Sequence, residues 1–218
     1  ERKLGADAVD FIINRPLSGW QKEILELALP NFRGHVLPGP TEQRVLVNAL
    51  HLPPPARLNV PHPEAVRLLR ERLSRHGPPR KGKRVWVGRP RTRGRLAVNE
   101  NEIQDYLVSQ GFEQIDPASK SVAEQIAFFS DVEVLVALGG AALTNLLFCP
   151  DETRVVILST AFHYHETYTA LAGAIGQPCW VCLAGSETRP NPYLIWAVFD
   201  QNVRLEDVAV AVDQAVRA

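Results

Sequence analysis

Blocks of apolar residues, first at strand spacing and then at helix spacing, alternate along most of this chain. From Ala8 to Ile13 a short apolar run predicts a strand. Ser18 precedes W-Q-K-E-I-L-E-L-A-L, in which Trp20, Ile24, Leu25, Leu27 and Leu29 form an amphipathic helical face that stops at Pro30. Gly34 to Leu37 and Arg44 to Leu50 predict two more strands about the turn P-G-P. The proline-dense segment H-L-P-P-P-A-R-L-N-V-P-H-P predicts a connecting loop, because proline fixes φ and removes a donor. Pro63 then opens a helix carrying Val66, Leu68, Leu69 and Leu73.

Beyond H-G-P-P-R-K-G-K the alternation becomes regular. Strands are predicted at Arg84–Gly88, Phe112–Ile115, Val132–Leu138, Arg154–Leu158 and Cys179–Leu183. Helices are predicted at Asn101–Gln110, Val122–Ser130, Ala142–Phe148, Glu166–Ile175 and Leu205–Val216. This order predicts an α/β fold with a mainly parallel sheet covered by helices on both sides. The expected organisation is a partial α/β lobe over residues 1–78 and a Rossmann-like lobe over 79–218.

The stretch V-E-V-L-V-A-L-G-G-A-A-L-T-N-L-L-F-C-P, Val132 to Pro150, is the organising one. Its valine-rich start predicts a strand buried on both faces, followed by a turn at Gly139-Gly140 and a helix from about Ala141. In an open α/β sheet such a turn lies at the carboxyl edge, where ligands bind, and the first helical N–H groups lack intrachain partners. Those donors suit a phosphate, and Thr144 and Asn145 add polar groups one turn on. Gly-Gly also serves merely to turn a chain.

Composition narrows the picture. The 218 residues, 45% of them hydrophobic, can bury a sizeable core. The sequence shows no run of about 20 apolar residues that would span a bilayer and no apolar signal-peptide centre. It contains no methionine, so a missing first segment is expected. Twenty-four basic and twenty-four acidic residues cancel, which argues against general nucleic-acid affinity. Three cysteines and no Asn-x-Ser/Thr site predict a reducing, cytoplasmic setting.

Basic charge concentrates in K-R-V-W-V-G-R-P-R-T-R-G-R, which puts Arg89 just past a strand end and Arg91, Arg93 and Arg95 in the next loop. Beside a helix N-terminus, guanidinium groups hold a diphosphate; alone, they form a solvated basic loop. No aromatic residue is interleaved with the arginines after Trp86, which weakens a nucleic-acid reading. Asn99 with Glu102, and Ser121 with Glu124, have the spacing of helix caps, whereas capping does not explain Glu100. His163 and His165 lack further ligands at metal-binding spacing, so no metal site is assigned. In C-W-V-C, Cys179 and Cys182 would face opposite sides of a strand as packed thiols. No G-x-G-x-x-G follows a strand, which leaves a dinucleotide oxidoreductase without support.

The ordered series R-P-R-T-R-G-R-L-A-V-N-E, G-F-E-Q-I-D-P, S-V-A-E-Q-I-A-F-F-S and V-L-V-A-L-G-G-A-A-L-T-N-L-L-F-C-P resembles glycosyltransferase family 61, the capsular polysaccharide biosynthesis type. The close match covers about Lys83 to Leu158. The resemblance implies a GT-B-like arrangement of two Rossmann-like lobes, with a nucleotide-sugar donor on the C-terminal lobe and a glycan acceptor facing the N-terminal one. It implies inversion at the anomeric centre and no required metal or cofactor. By position, Arg89, Arg95, Asn99 and Glu100 fall on the family's arginine and Asn-Glu block, and Gln125 on its Glu-Gln block. Gly140, Ala141, Leu143, Thr144 and Asn145 fall on its signature, immediately after Gly139. Arg89 and the amides after Gly140 would then meet the donor phosphates, with Arg95 and Asn145 shaping the pocket.

This chain departs from the family pattern twice. Gly139 stands where the family usually has histidine, and Ile157 where the next strand usually has glutamate. Either an altered donor or a lobe without catalysis follows from such losses. The expected function is an inverting transferase of bacterial surface polysaccharide synthesis, at the inner face of the membrane; the alternative is an inactive module that binds a nucleotide, a glycan or a protein. No general base is assigned: His35, His51 and Glu166 are only polar residues in predicted loops.

Overall fold

The computed structural model describes residues 11–13, 16–30, 34–36, 56–57, 60–73, 82–88, 99–160, 165–186 and 201–218. Contacts divide the chain into two compact units, Glu1–Pro55 and Ala56–Ala218. In the first, β1 (Phe11–Ile13) and β2 (Gly34–Val36) pair in parallel, and α1 (Gly19–Ala28) joins them in sequence. A parallel pair needs such a crossover. Ser18 and Gln21 form the box that opens α1. Trp20, expected on the helix's apolar face, is 60% exposed, and Ala28 is its buried residue. The predicted strand Arg44–Leu50 lies outside the described residues.

The second unit begins with a small antiparallel hairpin, β3 (Ala56–Arg57) and β4 (Val60–Pro61), within the stretch expected to be loop. Helix α2 (Pro63–Leu73) starts at the proline that fixes its first turn. Its contacts are with elements of the second unit, so by contacts the chain divides ahead of α2, whereas the sequence reading divides it after, at 78/79. The sheet strands follow: β5 (Lys83–Val87), β6 (Glu113–Gln114), β7 (Val132–Leu138), β8 (Arg154–Thr160), β9 (Cys179–Ser186) and β10 (Gln201–Asn202). Between them lie α3 (Glu100–Ser109), α4 (Val122–Phe129), a 3-10 helix (Ala141–Phe148), α5 (His165–Ile175) and, last, α6 (Leu205–Arg217).

The spatial order is β6-β5-β7-β8-β9-β10, parallel throughout except for β10, which pairs antiparallel with β9. This is a Rossmann-like α/β sheet. Strand β7 has a neighbour on each side, and six of its seven residues are buried, which is why its sequence is nearly continuous in apolar residues. Alternate side chains point to opposite faces. Trp86, Val134, Val136, Leu138, Val156, Leu158, Cys182 and Ala184 pack beneath Ile103 and Leu107 of α3 and Val208, Val212 and Ala215 of α6. Helix α5 covers β8 and β9, and α2 rests on α5 and the 3-10 helix.

Local sequence sets the helix ends. Helix α3 closes where Gly111, at φ 80°, lets Phe112 N donate to Leu107 O at 3.0 Å and tuck its ring into the core. Ser121 and Glu124 form the expected box at the start of α4, and the Ser121 bonds hold the Glu124 carboxyl below its ordinary range.

The carbonyls that end the 3-10 helix are gathered by Arg70 of α2. Its Nη1 donates to Leu146 O at 3.3 Å and to Leu147 O and Cys149 O at 2.9 Å, while Nη2 pairs with Asp151. The side chain is only 11% exposed. Removing it takes the guanidinium from all three part-buried carbonyls, although Leu146 O still accepts from Cys149 N and Gln177 Nε2. Arg70→Ala is therefore expected to lower the unfolding free energy by about 3 kcal/mol in urea denaturation, with Arg70→Lys recovering only part because the planar fork is lost.

Candidate functional site

The order of strands reverses between β5 and β7: the chain leaves β5 for β6 on one side and returns to β7 on the other. Such a point opens a crevice at the carboxyl edge of a sheet. The two strands are direct neighbours, with Val87 opposite Ala137, and Ala137 opposite Ile157 of β8. Continuing that register sets Gly88 opposite Leu138, so the two chains leave the sheet as neighbours, with Gly139 one residue further along its strand than Gly88. Arg89 is the next residue after Gly88, but Arg89 and Arg95 lie outside the described residues.

The turn after β7 is built as follows. Gly139 N donates to Leu158 O at 2.8 Å, carrying the ladder one residue past the strand. Gly140 is extended and caps the 3-10 helix, whose first internal bond runs from Leu143 N to Gly140 O at 2.9 Å. Among the described residues, no bond engages the N–H of Gly140, Ala141 or Ala142. A helix start with outward donors is present, as expected, but its 3-10 winding engages the Leu143 amide one residue sooner than an α-helix would.

Polar side chains at this turn bond back to its own carbonyls. Thr144 Oγ1 donates to Ala141 O at 2.7 Å, and Asn145 Nδ2 donates to Ala142 O at 3.0 Å. Asn145 is buried, and Leu143 is a core residue with no exposure. Thr144 and Asn145 thus tie the helix to itself, as short polar side chains do beside backbone carbonyls. Ala141 and Thr144 are exposed and Ala142 is half-buried.

Helices α3 and α4 bring Asn99, Glu100 and Gln125 toward this edge, because crossover helices run back against the strands. Asn99 is the first cap of α3 in position only. Its amide donates to Val203 O at 2.7 Å and its carbonyl accepts from Val203 N at 3.3 Å, while Glu102 lies at 3.4 Å. The expected cap is instead a clamp between α3 and the segment entering α6. Gln125 Nε2 donates to Lys120 O at 3.1 Å and so steadies the turn before α4.

Glu100, the first residue of α3, has its carboxylate directly over Gly88; a methyl group on Gly88 would collide with Glu100 Oε1 and stand 3.3 Å from Trp86 Nε1. Trp86 is fully buried, and its Nε1 has no hydrogen-bond partner among the described residues. A buried donor left unpaired costs about 1–3 kcal/mol. Trp86 and Gly88 were not singled out in the sequence, although residues two apart in a strand share a face and Trp-x-Gly places an indole beside an open backbone.

The two departures have distinct surroundings. A Cβ on Gly139 would lie 3.0 Å from Ser159 Oγ and 3.5 Å from Leu158 O. Ile157 is fully buried in the sheet. Among the described residues no group of three or more His, Cys, Asp or Glu could hold a metal, and His51, His163 and the Arg91–Arg95 stretch lie outside them. Glu166 is exposed in the first turn of α5. All three cysteines are free thiols. Cys182 lies in the core beneath α6, and burial pushes Cys179 and Cys182 each to about 11, with Asp207 adding to the shift at Cys182. Burial raises Cys149 further.

A model of the family described as Glycosyltransferase 61 matches residues 11–156. No curated protein matches the chain.

Two outcomes follow from these surroundings. Gly139→His is expected to cost about 1–3 kcal/mol in thermal or urea unfolding through overpacking on Ser159, and a Ser159→Ala background should reduce that cost. At pH 8 the thiolate fractions of the native cysteines are small, so a disulfide reagent should modify them roughly a hundredfold more slowly than in the unfolded chain.

Proposed function

The chain belongs to the Glycosyltransferase 61 family, and from that premise we propose that it moves a sugar from a nucleotide-sugar donor to a hydroxyl of a glycan acceptor, with the donor diphosphate at the β5/β7 edge. The observation that carries the reading is that the ends of two hydrogen-bonded strands, at Gly88 and at Leu138-Gly139, leave the sheet as neighbours where the strand order reverses. The outward amides of Gly140, Ala141 and Ala142 supply uncharged donors there. Arg89, the first residue beyond Gly88, supplies charge. Asn99 and Gln125 act from behind by fixing the first turns of α3 and α4.

Cleavage of the donor leaves negative charge on the nucleoside diphosphate, and fixed amides with a guanidinium stabilise that charge as it develops. The acceptor hydroxyl must lose a proton to a base, which on this reading belongs to the acceptor side and is unassigned. We read the reaction as inverting and metal-independent, in a GT-B-like enzyme of bacterial polysaccharide synthesis working on the cytoplasmic side of the membrane. Among the described residues no helix is long and apolar enough to cross a membrane. A second reading, a non-catalytic module that keeps the donor edge, is supported by Ile157 packed as a core residue where the family pattern has a carboxylate.

Calorimetry with a panel of nucleoside diphosphates and their sugars separates these readings. The enzyme reading expects binding of at least one, turnover with a glycan acceptor, and about tenfold weaker binding in Arg89→Ala. Unchanged binding in that variant would remove Arg89 from the site.

A further inference from the structure

The indole N–H of Trp86 is a buried polar group beside the candidate site that the donor reading does not use. It is enclosed by α3 and α6 on the core side, yet its edge reaches the strand end at Gly88, where Glu100 comes over the same glycine from the start of α3. Gly88 has no side chain, so the carboxylate and the indole edge both lie against its backbone. Any other residue at position 88 would separate them.

An N–H that only donates thus stands next to a group that only accepts, at the mouth of the strand beside β7. We propose that Trp86 is a positioning residue: when the donor occupies the β5/β7 edge, one oxygen of Glu100 accepts the Trp86 indole N–H, and the other is held to accept a hydroxyl of the donor's sugar moieties. Among the described residues the indole N–H has no partner in the unliganded protein. Binding completes the bond, so part of the donor's affinity comes from a group it never touches. This rests on the donor reading above and goes beyond it by naming the group that orients Glu100 and the glycine that permits it.

The test uses the whole chain and a nucleoside diphosphate that the calorimetric panel identifies as a ligand. Trp86→Phe removes the N–H and keeps an aromatic ring, and site-specific benzothienylalanine at position 86 removes it while keeping the bicyclic shape. Both are expected to bind about tenfold more weakly. The loss should vanish in a Glu100→Ala background, because the two side chains act as one unit. In proton–nitrogen correlation spectra the Trp86 indole resonance, identified by its absence in Trp86→Phe, should move downfield as ligand is added. Unchanged affinity in the benzothienylalanine protein, or an indole resonance that does not move at saturation, overturns this inference alone. Failure of the unaltered protein to bind any nucleoside diphosphate overturns the donor reading and takes this inference with it.

Discussion

The parallel pairing of Lys83–Val87 with Val132–Leu138 is the constraint on which the candidate site depends. Register alone brings the exits of these strands to one place: with Val87 opposite Ala137, the residues that follow leave the sheet as neighbours. The connections then diverge, because the first strand goes on to β6 and the second to β8. Hydrogen-bonded strands lie about 4.8 Å apart, so the gap between two diverging connections is of the size of a phosphate group. A one-residue slip would carry the half-buried Glu133 onto the opposite, fully apolar face and away from its Arg154 partner, which disfavours it.

On this frame the proposed anion donors at the turn are backbone amides. Side chains that look like ligands in the sequence also hold the frame: Thr144 and Asn145 bind the helix they belong to, Asn99 binds Val203, and Gln125 binds Lys120 O. Arg70 closes the far end of the same helix. The consequence is a turn whose outward donors are fixed before a ligand arrives, so little rearrangement is required on binding. Glu100 and Trp86 are different, because they bring charge and an unmet donor to the edge.

How much of this was legible followed from the range of the interactions. Strand β7 has the bounds that its apolar run predicts, and the helix starts at Pro63 and Ser121 match local signals that act within a few residues. Family membership was legible in the order of four blocks, as the match over residues 11–156 shows. The 3-10 winding after Gly140 was not, because A-A-L-T-N-L-L-F reads as an α-helix and the tighter turn shows in backbone bonds three residues apart, Leu143 N to Gly140 O and Cys149 N to Leu146 O. Nor was the role of Asn99, whose partner is 104 residues away. The two-residue strands β3, β4 and β10 are too short to carry a period. Arg89 and Arg95, to which the proposed donor site assigns its charge, lie outside the described residues.

The central claim is that the backbone amides opening the helix after Gly139-Gly140 receive an anionic ligand, and amide spectra read those groups directly. On titration with a nucleoside diphosphate, the resonances of Gly140, Ala141 and Ala142 should move together and saturate at one constant, while that of Leu143, already bonded to Gly140 O, moves less. Shifts confined to the opposite edge of the sheet, around Gly82, Lys83 and Glu133, with the three amides unmoved at saturation, would contradict the account.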